Sequence, residues 1–194
     1  MRNVVIYELL IPSLMKLYEM DYNNILIGVS ERNICGRLAH HIENVMRQYD
    51  RKYNSDMFSR YYADVEYDKM NDGNQKHYEN SQHQATRMVS DLLIHSRGVP
   101  DNLLAVEMKR KKSYDKRRKD RERLKAMVAT SSNIDVPCVY NTLLGAFIIY
   151  SPEDVKVEIY ENENVDGDKM NELRFIYTPE KTDVLTLIVN QRAD

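Results

Sequence analysis

Tryptophan is absent from the 194 residues, and only two cysteines, Cys35 and Cys138, occur. Two distant cysteines cannot staple a small disulfide scaffold, and they form no zinc-ligand spacing, so a reducing compartment is expected. The five histidines carry no metal-site spacing either; His40 and His41 are adjacent and leave a helix in different directions. No apolar run approaches the roughly twenty residues of a membrane span. The N-terminus lacks the charged, apolar, then small pattern of a secretory signal. A cytoplasmic protein with no membrane partner is the expectation. Internal repeats and low-complexity tracts are missing too, apart from one basic block.

Apolar residues make up 42% of the chain and charged residues 30%, a profile of a folded soluble protein. The length suits one well-buried core and is short for two. The net charge of −2 conceals an asymmetry: residues 109–125 hold eleven Lys or Arg against three acids, a local +8 that leaves −10 elsewhere. A basic block on an acidic body points to one anion-facing surface or to a solvated helix face.

Hydrophobic periodicity supplies the elements. Ser13 to Met20 is expected to be helical, Val4 to Ile11 helix or strand, and Asp21 to Asn24 a loop. Ser30 reads as an N-cap with Glu31 in the first turn, where the helix dipole favours an acid. Ile34, Leu38, Ile42, Val45 and Tyr49 follow at steps of three and four, the mark of a long amphipathic helix. Tyr61 to Tyr67 alternates as a half-buried strand. Asp68 to Thr86 is polar and aperiodic and reads as a long loop. Met88 to His95 and Leu103 to Lys109 are apolar segments around a turn, an expected antiparallel hairpin. Ser113 to Val128 returns to a helical pattern. Leu143 to Tyr150, Val155 to Ile159, Leu173 to Tyr177 and Val184 to Val189 complete a set of strands. Helices on both sides of a mixed sheet, an α/β fold, account best for this order.

The chemistry concentrates in the hairpin. Alternation puts Glu107 and Lys109 on one strand face, and Asp91 comes from the neighbouring strand. Charges buried among apolar residues must neutralise one another or hold a metal. Two carboxylates with water suit a hard cation such as Mg²⁺, for which Mn²⁺ is expected to substitute. A lysine beside them orients or deprotonates an attacking water and offsets developing negative charge. Hydrolysis of a phosphodiester needs this combination. Asp64 and Glu66 share a face and are candidates to add a carboxylate. His95 and Arg97 are candidate phosphate contacts, as are Arg117, Arg118 and Arg121 in the basic block. Fourteen tyrosines offer base-stacking surfaces, although most are expected to be packed.

The stretch Ser90-Asp91-Leu92-Leu93-Ile94-His95-Ser96-Arg97-Gly98, followed by Asn102-Leu103-Leu104-Ala105-Val106-Glu107-Met108-Lys109, resembles small bacterial and phage members of the PD-(D/E)XK nuclease superfamily. The likeness extends to Glu31-Arg32 and Arg37-Leu38 on the early helix and to Asp64-x-Glu66-Tyr67, covering about residues 25–150; residues 151–194 add further strands. Ser90 stands where that pattern has proline. The resemblance implies a restriction-endonuclease-like single domain, Mg²⁺ on Asp91 and Glu107, Lys109 as the water-orienting base, and an early-helix Glu31 near the metal. It also implies a nucleic-acid substrate, with DNA expected. So short a chain leaves little room for a separate reading domain, which implies low sequence specificity or a homodimer. The same fold without hydrolysis would serve as a nucleic-acid- or protein-binding module.

Overall fold

The structure is a computed structural model that describes residues 1–67, 77–79, 85–87, 89–97, 99, 101–112, 117–128, 142–161, 169–177 and 185–189. Val4–Leu10 winds as a π-helix that turns its apolar residues inward and leads without a break into α1, Ile11–Ile27. Pro12 sits in the first turn of α1, where a missing N–H disturbs nothing. Asp21 to Asn24, expected as a loop, instead lies within the last two turns of this helix. Local propensity loses there to tertiary contact: the nearly buried Asp21 carboxylate accepts a hydrogen bond from Arg37 at 2.7 Å and is hydrogen-bonded to the buried His41 at 2.6 Å, binding α1 to α2. Gly28 ends α1 at φ +82°, and a β-carbon there would stand 2.6 Å from the Arg110 guanidinium. That guanidinium donates to the Ile25 and Gly28 carbonyls, so the C-terminus of α1 is capped from the central sheet.

The Asp21 cluster has a measurable stability consequence. Burial alone would raise the Asp21 pKa, but hydrogen bonds from His41 and Arg37 and the Arg37 charge hold it below the ordinary carboxylate range. A depressed folded-state pKa gives stability that is present above the unfolded value, about 3.9, and lost as pH falls through the folded value. Asp21→Asn is expected to destabilise the protein by about 3 kcal/mol at pH 7, because it strands two donors. Urea melts of both proteins should converge as the pH drops below 4; a gap that persists at acid pH would mean packing, not charge, sets the effect.

α2, Glu31–Tyr53, begins at Ser30, whose Oγ accepts the Asn33 N–H at 3.2 Å, and ends at Asn54 in the left-handed conformation. Seven strands form one sheet in the order β1-β4-β5-β6-β7-β8-β9: β1 Tyr61–Val65, β4 Leu92–Ser96, β5 Asn102–Arg110, β6 Thr142–Tyr150, β7 Asp154–Glu161, β8 Lys169–Tyr177 and β9 Leu185–Val189. The expected hairpin is β4 and β5, antiparallel in register Leu92 to Val106, with an irregularity between Ile94 and His95. β5 and β6 run parallel, and the helix between them, α3 (Arg117–Val128), carries the chain back along the sheet; the other pairings are antiparallel. The segment read as one long loop contains two short strands, β2 (His77–Glu79) and β3 (Ala85–Arg87), paired antiparallel. Three-residue strands are too short to leave a period in a sequence. Its remaining residues, like 113–116 and Cys138, lie outside the described residues.

Layering follows the alternation of the strands. Leu92, Ile94, Leu104, Val106 and Met108 turn to the face covered by the N-terminal helices. Leu93, Ala105, Phe147, Ile149 and Tyr160 turn to the face covered by Leu124, Met127 and Val128 of α3. Helices therefore cover both faces of a mixed sheet, as the element order implied. Gly145 makes the α3 packing possible, since a β-carbon there would lie 3.0 Å from Leu124. Among the described residues no helix is long and apolar enough to cross a membrane.

Candidate active site

Asp91 immediately precedes β4, one step beyond the Leu92–Val106 pair and so opposite Glu107. Its Oδ2 accepts the Met108 N–H at 2.8 Å, which fixes the carboxylate over β5. Glu107 and Lys109 point to the α3 face, as alternation required. Lys109 Nζ is the centre of the cluster: Glu31 Oε2 lies at 3.2 Å, Asp120 Oδ2 at 3.6 Å and Asp91 Oδ2 at 3.8 Å. Three acids from three elements thus surround one ammonium whose side chain is 12% exposed. Burial works against the charge, but Asp91, Asp120 and Glu31 together hold the Lys109 pKa above its ordinary value. Among these three acids the side chain is held in its charged form, as a hydrogen-bond donor.

Glu31 reaches the cluster because the Ser30 cap sets the first turn of α2 against the end of β5. Its second oxygen accepts the Arg110 N–H at 3.0 Å. Neither neighbouring arginine claims it: Arg32 pairs with Glu66 at 3.1 Å and Arg37 with Asp21. Glu66 also helps to hold Asp91, donating its backbone N–H to the Asp91 carbonyl from a left-handed conformation at φ +53°. Cys35 lies beneath the acids; burial, and then the nearby Asp91 charge, push its thiol well up, so it stays protonated. Ser90 is fully buried, and its hydroxyl has no hydrogen-bond partner among the described residues.

Glu107 is the most withdrawn member. Its side chain is fully buried, and both oxygens are taken by the Arg123 fork, at 2.7 and 2.5 Å. Arg123 also donates to Asp120 at 2.9 Å. Burial pushes the Glu107 pKa up, the paired Arg123 opposes it, and Asp91 adds to the rise. Burial likewise raises Asp91, against the pull of Lys109 and the Met108 N–H. Asp120 and Arg123 went unassigned in the reading of the sequence, being part of the basic block. A signal was there: Leu124, Met127 and Val128 define the inward face of α3, and Asp120 and Arg123 each stand one turn before a member of it.

The candidate phosphate contacts divide. His95 and Arg97 form a separate cluster: His95 Nε2 is 2.9 Å from Asp64, Arg97 donates to Asp64 at 2.8 Å, and the His95 ring stacks on Tyr67 at 4.3 Å. Arg97 also covers Tyr62. Four residues along β4 from Asp91, His95 stands roughly 13 Å from it, so Asp64 is bound there and not at the acids. Arg121 faces the sheet, bidentate to the buried Glu158 at 2.7 and 2.9 Å and over the Phe147 ring at 4.5 Å. Arg117 donates to the carbonyls of Arg110 and Lys111. Arg118 is exposed and pairs with Glu122 one turn on. The Arg121 arrangement is structural: Arg121→Ala leaves Glu158 buried beside fewer donors and is expected to cost about 3 kcal/mol. A thermal melt within 1 °C of wild type would show that Glu158 finds another partner.

The donor set can be tested against a hard divalent cation. Among the described residues, Glu31, Asp91, Glu107 and Asp120 face Lys109 and Arg123, four acids against two cations in a partly buried cluster. Asp120 Oδ2 is buried, with no hydrogen-bond donor among the described residues. Charge and chemistry fit such an ion. Side-chain disposition does not yet: among the described residues no three His, Cys, Asp or Glu side chains are gathered to hold a metal, and Glu107 is turned to Arg123. No family model matches the chain, and neither a characterised protein nor a solved structure is similar to it.

Proposed function

We propose that this protein is a divalent-metal-dependent nuclease that hydrolyses phosphodiester bonds, DNA being the expected substrate, on a restriction-endonuclease-like domain. The observation that carries the reading is the convergence of Asp91, Glu107 and Lys109 on one sheet face, with Glu31 brought to Lys109 from a different element. A purely structural ion pair needs no such gathering; acids from several elements around one lysine suit work on a substrate that is itself an anion. Asp91 and Glu107 would hold the ion, which when bound supplies activation of water and relief of charge at phosphorus.

The chain's own groups divide the remaining work. Lys109, kept as an ammonium by three carboxylates, donates a hydrogen bond to the attacking water and faces the negative charge that gathers on the phosphoryl oxygens. Glu31 sets its direction. Asp91, fixed by the Met108 N–H, keeps one oxygen outside that bond. The exposed cations Lys112, just after β5, and Arg118 and Lys119, on α3, would offer the phosphate backbone its contacts.

One feature favours the second reading, a binding module without hydrolysis: the closed Glu107–Arg123 fork. Purified protein incubated with plasmid, linear and single-stranded DNA and with RNA, with and without Mg²⁺ or Mn²⁺, separates the two. The nuclease reading expects metal-dependent cleavage, together with calorimetric Mn²⁺ binding that weakens at least tenfold in Asp91→Ala, since each carboxylate carries a large part of a two-acid site. Nucleic-acid binding with no cleavage under either metal would leave only the binding module.

A further inference from the structure

The Arg123 fork is a feature that a two-carboxylate metal site does not require. It occupies both oxygens of Glu107, at 2.7 and 2.5 Å, and thereby holds the carboxylate that the nuclease reading assigns to the cation. A dication at Glu107 would stand beside the guanidinium, and like charges so close repel strongly in a poorly solvated cluster. In this disposition the two compete for the carboxylate.

We propose that Arg123 is the resident counter-cation of the acidic site, that a divalent ion binds by exchanging with it at Glu107, and that Asp120 receives the released guanidinium. This rests on the nuclease reading in one respect, that the cluster takes a divalent cation.

Three observations point to exchange. Asp120 already holds Arg123 through Oδ1 at 2.9 Å, and the two lie three residues apart on α3, so the arginine need not leave its helix. The other oxygen, Asp120 Oδ2, is buried and has no hydrogen-bond donor among the described residues. It stands 3.6 Å from Lys109, directed into the cluster. A guanidinium that lets go of Glu107 therefore finds a vacant acceptor on a carboxylate it already touches, and can become bidentate there without entering water. A buried carboxylate oxygen without a donor is costly, and the exchange supplies one. Before the exchange, Arg123 neutralises Glu107, which keeps a fully buried acid tolerable while no metal is bound. After it, the arginine stands beside the site with its charge intact.

The alternative is that Arg123 orients Glu107 for the cation and stays in place, as a hydrogen-bonded partner does for many metal ligands. The two make opposite predictions. Titrating Mn²⁺ into wild type, Arg123→Gln and Arg123→Lys by calorimetry, without nucleic acid, is expected to give binding at least tenfold tighter in Arg123→Gln, with Arg123→Lys between it and wild type. Equal or weaker binding in Arg123→Gln overturns the exchange. Should that variant fail to fold, wild type answers alone: the Arg123 Nε–H resonance, assigned by its loss in Arg123→Lys, should shift as Mg²⁺ is added. A resonance unmoved while Mg²⁺ binds overturns the proposal and leaves the nuclease reading standing. If neither wild type nor Arg123→Gln binds any divalent ion, both fall. If only Arg123→Gln binds one, exchange is supported, with the arginine the stronger competitor.

Discussion

Lys109→Ala is expected to lower kcat about 10³-fold while leaving the affinity for nucleic acid within a few-fold of wild type. The split follows from the position of the ammonium. Lys109 is 12% exposed and enclosed by Glu31, Asp120 and Asp91 within 4 Å. A side chain so enclosed adds little to a surface that long-range attraction brings to a polyanion; exposed cations such as Lys119 do that. On the nuclease proposal its charge would matter when negative charge builds at the reacting phosphorus, and that would place its effect in kcat. A second consequence keeps the test honest. Removing the ammonium leaves three acids facing one another, so the variant should bind Mn²⁺ no more weakly than wild type, and often more tightly. Loss of cleavage with metal binding retained assigns Lys109 to the chemical step. Loss of both would mean that the lysine holds the acids in place, and unchanged cleavage would remove it from the site.

Parts of this architecture were open to reading from the sequence because a single period dominated them. α2 is one case: Ile34, Leu38, Ile42 and Val45 repeat at helical steps behind a serine cap, and nothing in tertiary structure competes with that signal. The shared face of Glu107 and Lys109 is another, since alternation in a strand is fixed by the backbone itself. The end of α1 was hidden because Asp-Tyr-Asn-Asn has turn chemistry; what keeps it helical is Arg37 and His41, sixteen and twenty residues away. The parallel pairing of β5 with β6 was hidden for a related reason, as strand direction belongs to the connection and not to the strand. The basic block misled differently. A charge count treats its eleven cations alike, while the helix sorts them: Arg121 and Arg123 turn inward to Glu158 and Glu107, and Arg118 turns to solvent. The apolar residues of the same helix carry the information that separates them, and charge and periodicity have to be read together to recover it.

Glu31→Gln is expected to reduce cleavage by about 10²-fold, the range found when a partner of an active-site group is altered, with thermal stability close to wild type. The structure gives the reason atom by atom. Glu31 Oε1 accepts the Arg110 N–H at 3.0 Å, a bond that the glutamine carbonyl can keep. Oε2 accepts from Lys109 at 3.2 Å, and there the variant presents an amide N–H₂ to an ammonium, donor against donor. The fastening of α2 to the end of β5 therefore survives while the orientation of Lys109 does not, and the ammonium is left to Asp91 and Asp120 alone. The defect should appear in kcat with KM little changed, and Glu31→Asp, which keeps the charge on a shorter arm, should recover part of it. The competing account is that Glu31 serves only the helix: as an acid in the first turn it favours the dipole by about 0.3–1 kcal/mol, and it links two elements. That account expects Glu31→Gln to melt lower and cleave like wild type, and Glu31→Asp to offer nothing that Glu31→Gln lacks. The pair of variants, melted and assayed under the same metal, decides whether α2 contributes a positioning residue to the site or only a wall.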